Sequence, residues 1–231
     1  TEQYFLIADV WARLYQVFQI FPLPIVPNSP NTKNSFRLQQ ENGRIWVAPG
    51  GYDAVGTPVF NNDGIFRLEG LDWTNFANAE FGGYKDIVKI LPNPNQANRF
   101  FASSFGAGLL ELEFDGSQLR LVRIINEATT NGALPSIGGN GLHRVADMMA
   151  DADGNVWFGN ALTDRPLGVI RPDGSVESFG LGASGAGANV LKLMVTSGGQ
   201  VWQQVRNNGI LVTRLENGVP QETVRLAANE G

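Results

Sequence analysis

The sequence contains no cysteine. This excludes disulfides, thiolate metal sites and cysteine nucleophiles. It leaves the compartment open, because a large β domain needs no covalent staples in an oxidising space. Histidine is nearly absent: His143 is the only one, which excludes multi-histidine metal centres. No apolar run reaches the length of about 18 residues that a membrane helix needs. Basic runs are missing too. The formal net charge is −5, and without clustered Lys and Arg a nucleic-acid partner is not expected. The opening "TEQYFLIADVWARLYQVF" carries Glu2, Asp9 and Arg13 and lacks a basic leader and a small-residue cleavage site. It does not read as a signal peptide. With no initiator Met, the expectation is a mature form or an internal piece.

What the sequence does hold is punctuation and apolar residues. There are 28 Gly and 12 Pro in 231 residues, and 43% of the chain is hydrophobic. That suits many short elements around a sizeable core.

The strongest feature is self-similarity. "ADMMADADGNVWFGN" leads through a short loop to "GVIRPDGSVESF". The same order recurs in "KLMVTSGGQVWQQV…GILVTRLENGVPQETVRL" and in "SFRLQQENGRIWVAPGG…GIFRLEGLDWTNF". It recurs again in "DIVKILPNPNQANRFFASSFGAGLLELEFDGSQLRLVRI". Trp46, Phe101, Trp157 and Trp202 fill one anchor slot at separations of 55, 56 and 45 residues. Each anchor is followed by a glycine and a branched apolar residue: Gly64-Ile65, Gly108-Leu109, Gly168-Val169 and Gly209-Ile210. The stretch between them varies in length, as loops do in a fixed repeat.

Each unit holds four short apolar or alternating runs split by turn chemistry, and helical periodicity is nearly absent. Such units imply an all-β fold, a β-propeller of four-stranded antiparallel blades. One blade has two apolar faces and cannot cover both alone, so blades stack. The anchors fill the wedges between them. The expected division is a single propeller domain, or part of one, over 1–231. It has a partial blade at 1–34 and blades at approximately 35–80, 84–130, 142–182 and 188–228. In the partial blade, "YFLIAD" aligns with "RIWVAP" and puts Leu6 in the anchor slot.

At these residues the chain resembles the repeat of two-component-regulator propellers, where an Asp-x-x-Gly turn precedes an aromatic strand. "NGRIWVAPGGYDAVGTPVFNNDGIFRLEGLDWTNF" and "FFASSFGAGLLELEFDG" resemble PorZ-type propeller proteins of the type IX (Por) secretion system of Bacteroidetes. The resemblance implies a non-enzymatic binding and assembly module, exported to the cell surface. Its implied partners are other secretion-complex proteins, with lipopolysaccharide or a glycan as a further ligand, and no cofactor. The alternatives are a periplasmic ligand-sensing propeller of a hybrid two-component regulator and, in a different class, a propeller lyase.

Asp151, Asp153 and Asn155 alternate as calcium ligands do. However, the twelfth position of that run is Leu162 where a bidentate Glu would be needed, and the related turns "QENGRI" and "TSGGQV" lose the carboxylates. A hairpin turn closed by Asx hydrogen bonds is the expectation, with calcium at this one turn as the alternative. His143 precedes a first strand, near the central face, where it could touch a ligand or serve a lyase as base. "SIGGNGLH" and "GLGASGAGANV" lack the Gly-Lys-Ser/Thr ending of a phosphate loop. "GGYDAVGTPVFNNDG" is the most distinctive insertion, either packed on itself or a binding loop. Tyr52, Asp53, Trp73 and His143 are the candidate binding residues, and no catalytic residue is assigned.

Overall fold

Short polar turns set the strands. Asn42-Gly43 and Asn217-Gly218 each link two directly paired strands, and all four residues take positive φ. Asn and Gly tolerate this backbone, and such a turn matches the twist of the strands it joins. The computed structural model describes residues 4–8, 14–18, 21–25 and 28–227.

A leading three-stranded sheet holds β1 (Tyr4–Ala8), β2 (Leu14–Phe18) and β3 (Phe21–Ile25). Four four-stranded sheets follow. The first holds β4 (Arg37–Glu41), β5 (Arg44–Ala48), β6 (Ile65–Glu69) and β7 (Asp72–Phe76). The second holds β8 (Ile87–Pro92), β9 (Arg99–Ser104), β10 (Gly108–Phe114) and β11 (Leu119–Ile125). The third holds β12 (Val145–Ala150), β13 (Val156–Asn160), β14 (Leu167–Ile170) and β15 (Val176–Phe179). The fourth holds β16 (Val190–Thr196), β17 (Gln200–Val205), β18 (Ile210–Glu216) and β19 (Val219–Leu226). Within every sheet the strands pair antiparallel in chain order.

The sheets stack in sequence, with an apolar core in each gap. Trp46 packs among Phe76, Phe100 and Phe114 between the first and second sheets. Phe101 joins Val145, Met148 and Phe158 between the second and third. Trp157 meets Val190, Leu193, Val201 and Leu211 between the third and fourth. Each of these three anchors is at most 3% exposed. Burying an apolar side chain of this size stabilises by roughly 1.5–3 kcal/mol, so the gaps hold the stack together.

Two anchors depart from expectation. Leu6 lies on β1 but is 58% exposed, so it fills no wedge. Trp202 is only half-buried: it alternates with Val201 and Gln203, which are the residues of β17 buried toward the third sheet.

Structure also divides the recurring glycines. Gly64, Gly108 and Gly209 stand three residues before the partner of the anchor, at positive φ. A Cβ there would lie 2.0–2.4 Å from the carbonyl oxygen of Phe76, Ile125 or Leu226 on the fourth strand. Gly168 is not their equivalent. It sits one residue before the partner of Trp157, opposite Phe158, whose ring covers it. Pro166 takes the slot that glycine holds elsewhere.

Candidate functional site

The first strand of each sheet lines the axis of the stack. In β4, β8, β12 and β16 the residues paired with the anchors are Gln39, Leu91, Met149 and Met194. Two residues earlier stand Arg37, Lys89, Asp147 and Lys192. Register makes these four equivalent: they pair with Ala48, Ser103, Gly159 and Gln204, each two residues beyond its anchor. Three of the four sheets carry a register shift immediately before the charged residue, at Ile87/Lys89, Val145/Asp147 and Val190/Lys192. Such a bulge re-aims the side chain that follows it.

The result is a ring of three cations and one anion, two positive charges in excess. Asp147 is its hub. One carboxylate oxygen meets Arg37 Nη1 at 2.5 Å and accepts the Met148 N–H at 3.0 Å. The other accepts the Leu193 N–H at 3.1 Å. Arg37 Nη2 donates to the Leu191 carbonyl at 3.0 Å. Asp147 and Arg37 therefore tie β4, β12 and β16 together. The ion pair is sheltered, with side-chain exposures of 12% and 10%. Burial pushes the Lys89 ammonium below the usual lysine range. Asp147 opposes that shift, whereas Arg37 and Lys192 add to it. Lys192 is exposed. With Asp147 committed to Arg37, Lys89 and Lys192 are the cations left to hold an anionic group.

The long insertion packs against this ring. Tyr52 is half-buried, its ring 4.6 Å from Phe105 and 4.9 Å from Phe36. Its hydroxyl reaches the Leu191 carbonyl at 3.3 Å, and burial raises its pKa. Asp53 is exposed but occupied. Its carboxylate accepts the Val55 and Thr57 N–H groups at 2.9 and 2.8 Å, which hold its pKa down. At the loop's far end Asp86 accepts the Phe60 and Asn61 N–H groups, both at 2.9 Å. Across the gap, Arg206 donates twice to the Ala54 carbonyl, at 3.1 and 2.7 Å. The insertion is thus a packed clasp between the fourth sheet and the first. Tyr52, within it, also lines a surface pocket with Phe36, Pro49 and Val59.

The remaining candidates scatter. Trp73 is half-buried and lines a surface groove with residues 29–35, Leu38 and Val47, remote from the ring in the pairing of its sheet. His143, expected near a ligand face, is only 2% exposed. Its Nε2 accepts the Glu127 N–H at 3.0 Å, and burial lowers its pKa. It is a structural acceptor inside the protein, inaccessible to a ligand. Asp151 closes its own turn, accepting the Asp153 and Asn155 N–H groups at 3.0 and 2.9 Å. Its second oxygen accepts Asn155 Nδ2 and the Trp157 indole N–H, both at 2.8 Å. Among the described residues no three His, Cys, Asp or Glu side chains gather as a metal set.

Sequence reasoning missed the axial ring altogether. Its members are 9, 12, 10 and 10 residues before their anchors, because the intervening turns differ in length. Counting from the residue paired with the anchor, rather than from the anchor, brings all four into register.

Radially stacked, four-stranded antiparallel meanders with first strands at the axis define the β-propeller class. Solved structures share this architecture. PorZ of Porphyromonas gingivalis, an essential bacterial surface component of the type IX secretion system, matches with a TM-score of 0.71 at 18% identity over 93% of this chain. The extracellular domain described as that of a hybrid two-component system from B. thetaiotaomicron matches with a TM-score of 0.59 at 12% identity over 98% of this chain. The Cps50 (Swd1) propeller domain of Myceliophteria thermophila matches with a TM-score of 0.56 at 11% identity, covering 98% of this chain and 70% of that one. The chain spans only 30% of the PorZ chain and 28% of the two-component one. At these identities the likeness is one of fold. No protein-family model matches the chain, and no curated protein matches its sequence.

Proposed function

We propose that the chain is a non-enzymatic binding and assembly module of an exported bacterial protein, working at the cell surface within a type IX secretion complex. The observation that carries this reading is the axial ring, where Lys89 and Lys192 face one another's charge with Asp147 already committed to Arg37. An uncompensated cationic centre on a rigid frame is complementary to an acidic protein surface or an anionic glycan such as lipopolysaccharide. The fold likeness to PorZ supports the surface role. The test is Lys89→Glu combined with Lys192→Glu in a bacterium that makes this protein and displays type IX cargo. Surface display of cargo should fall while the variant is still exported. Unchanged display sinks the proposal. Metal-dependent turnover of a lactone or glycan by the purified chain would count against the non-enzymatic reading.

A second reading is a periplasmic sensor that binds a glycan for a two-component regulator. The likeness to an extracellular domain of that kind favours it. The two part on one measurement: a sensor changes transcription of a glycan-use operon when its ligand is added, and a secretion module does not.

A further inference from the structure

The insertion between β5 and β6 builds a cleft of its own. It has a volume of about 410 Å³ and lies between Asn34, Ser35 and Phe36, which lead into β4, and the two ends of the insertion. That is the size of a small-ligand site. None of the four ring residues lines it, and no other charged side chain does. One wall is apolar. Phe36 and Tyr52 meet edge to face, with ring centroids 4.9 Å apart at 70°. The Tyr52 hydroxyl is spent on the Leu191 carbonyl, so what Tyr52 gives the cleft is its ring. Val59, 50% exposed, extends the wall. Gly51 lies between Phe36 and Val59. A Cβ there would stand 3.3 Å from one and 3.5 Å from the other, so the missing side chain keeps the cleft open.

The rim is polar and held in place. Asp63 Oδ2 accepts Asn34 Nδ2 at 2.8 Å, Asn61 Nδ2 at 2.7 Å and the Thr32 hydroxyl at 2.8 Å. Asn61 Oδ1 is turned back to the Asp63 N–H at 3.0 Å. The Asn61 backbone is pinned as well, by the buried carboxylate of Asp86. Asn34 is exposed and keeps its Oδ1 and a second amide hydrogen, an acceptor beside a donor, without a partner among the described residues.

We infer that this cleft binds one ring of an uncharged saccharide. A pyranose has an apolar C–H face and a rim of hydroxyls that both donate and accept. The face matches the Phe36, Tyr52 and Val59 wall, and two adjacent hydroxyls match Asn34. An anionic ligand would meet no cation lining the cleft and would lie beside the Asp63 carboxylate. A proline-rich peptide also docks on aromatic walls, but proline has no N–H to give Asn34 Oδ1. The axial ring calls for an anion and this cleft for a neutral ring, so the inference does not rest on the secretion reading.

Saturation-transfer NMR on the full chain tests it with four neutral probes, the methyl glycosides of glucose, mannose, galactose and N-acetylglucosamine. Methyl glucuronoside and a capped triproline peptide are the anionic and peptide comparisons. At least one neutral glycoside should receive saturation at its ring C–H protons. Asn34→Ala should weaken its binding about fivefold, as the loss of one neutral hydrogen bond implies. Val59→Arg changes an exposed residue and lays a long side chain over the cleft, so it should abolish binding. Tyr52→Phe keeps the ring and should retain it. Melting temperatures show that the variants fold. Silence from all four neutral glycosides overturns the inference. So does binding that Asn34→Ala and Val59→Arg both leave unchanged. An Asn34-dependent signal from the glucuronoside or the peptide alone also overturns it, and assigns the cleft to that chemistry.

Discussion

The carboxylate of Asp151 accepts the indole N–H of Trp157 at 2.8 Å, six residues along the chain. The same group closes the turn between β12 and β13. Turn and anchor are therefore one unit. Asp151→Ala leaves a buried indole N–H and two turn amides without their acceptor, a cost of about 1–3 kcal/mol. Trp157→Phe breaks the same contact and opens a cavity. A double-mutant cycle by urea unfolding should show coupling of about 1 kcal/mol. Additive losses would show the two residues to be independent.

Arg37 and Asp147 pair at the axis with little solvent. Arg37→Met strands a sheltered carboxylate that keeps only its backbone donors. Losing one partner of such a pair costs about 3–5 kcal/mol. Arg37→Met with Asp147→Leu should recover part of that loss. Thermal melts of the three variants decide the matter, and a double variant no more stable than the single would contradict the hub role.

Burial holds the His143 pKa below the histidine norm, and its neutral Nε2 accepts the Glu127 N–H. The unfolded chain binds the proton more readily than the folded one. This contribution to stability is thus complete above the ordinary histidine pKa of about 6.5 and falls away as pH drops through it. His143→Gln keeps an acceptor without the titration. Its melting temperature should vary less between pH 7.5 and pH 5.5 than that of the parent, by a few degrees at most in a chain of this size. Parallel pH profiles would exclude His143 as the source.

Gly209 has φ +71°, and a Cβ there would lie 2.0 Å from the Leu226 carbonyl oxygen. Gly209→Ala should cost at least the 1–2 kcal/mol that a left-handed residue pays, plus the displacement of β19. Gly116→Ala has a positive φ but an empty surround, and should show the backbone cost alone. Circular-dichroism melts of both separate strain from collision.

The fold was legible because each of its parts leaves a local mark. Turns bearing Asn, Asp or Gly, alternating strands and one aromatic anchor per unit recur along the chain, since backbone and packing both need them, while the turn carboxylate does not recur. The equivalence of Gly168 was misread because glycine serves two physical ends here, a tight approach to a carbonyl in three sheets and room for the Phe158 ring in one. Sequence names the residue but not its reason. The candidate site was not legible. Tyr52, Asp53 and His143 were chosen for their chemistry, and the structure occupies each of them with neighbours. The ring of Arg37, Lys89, Asp147 and Lys192 has no shared identity or sign, and it exists only in the strand register.

The Arg206 clasp on Ala54 spans 152 residues. A contact so distant in sequence forms late, after the local hairpins and the neighbouring sheets have paid for bringing its ends together. Arg206→Ala removes both hydrogen bonds to the Ala54 carbonyl and leaves the strand pairing of every sheet intact, so it loosens the join between the first and fourth sheets rather than the sheets themselves.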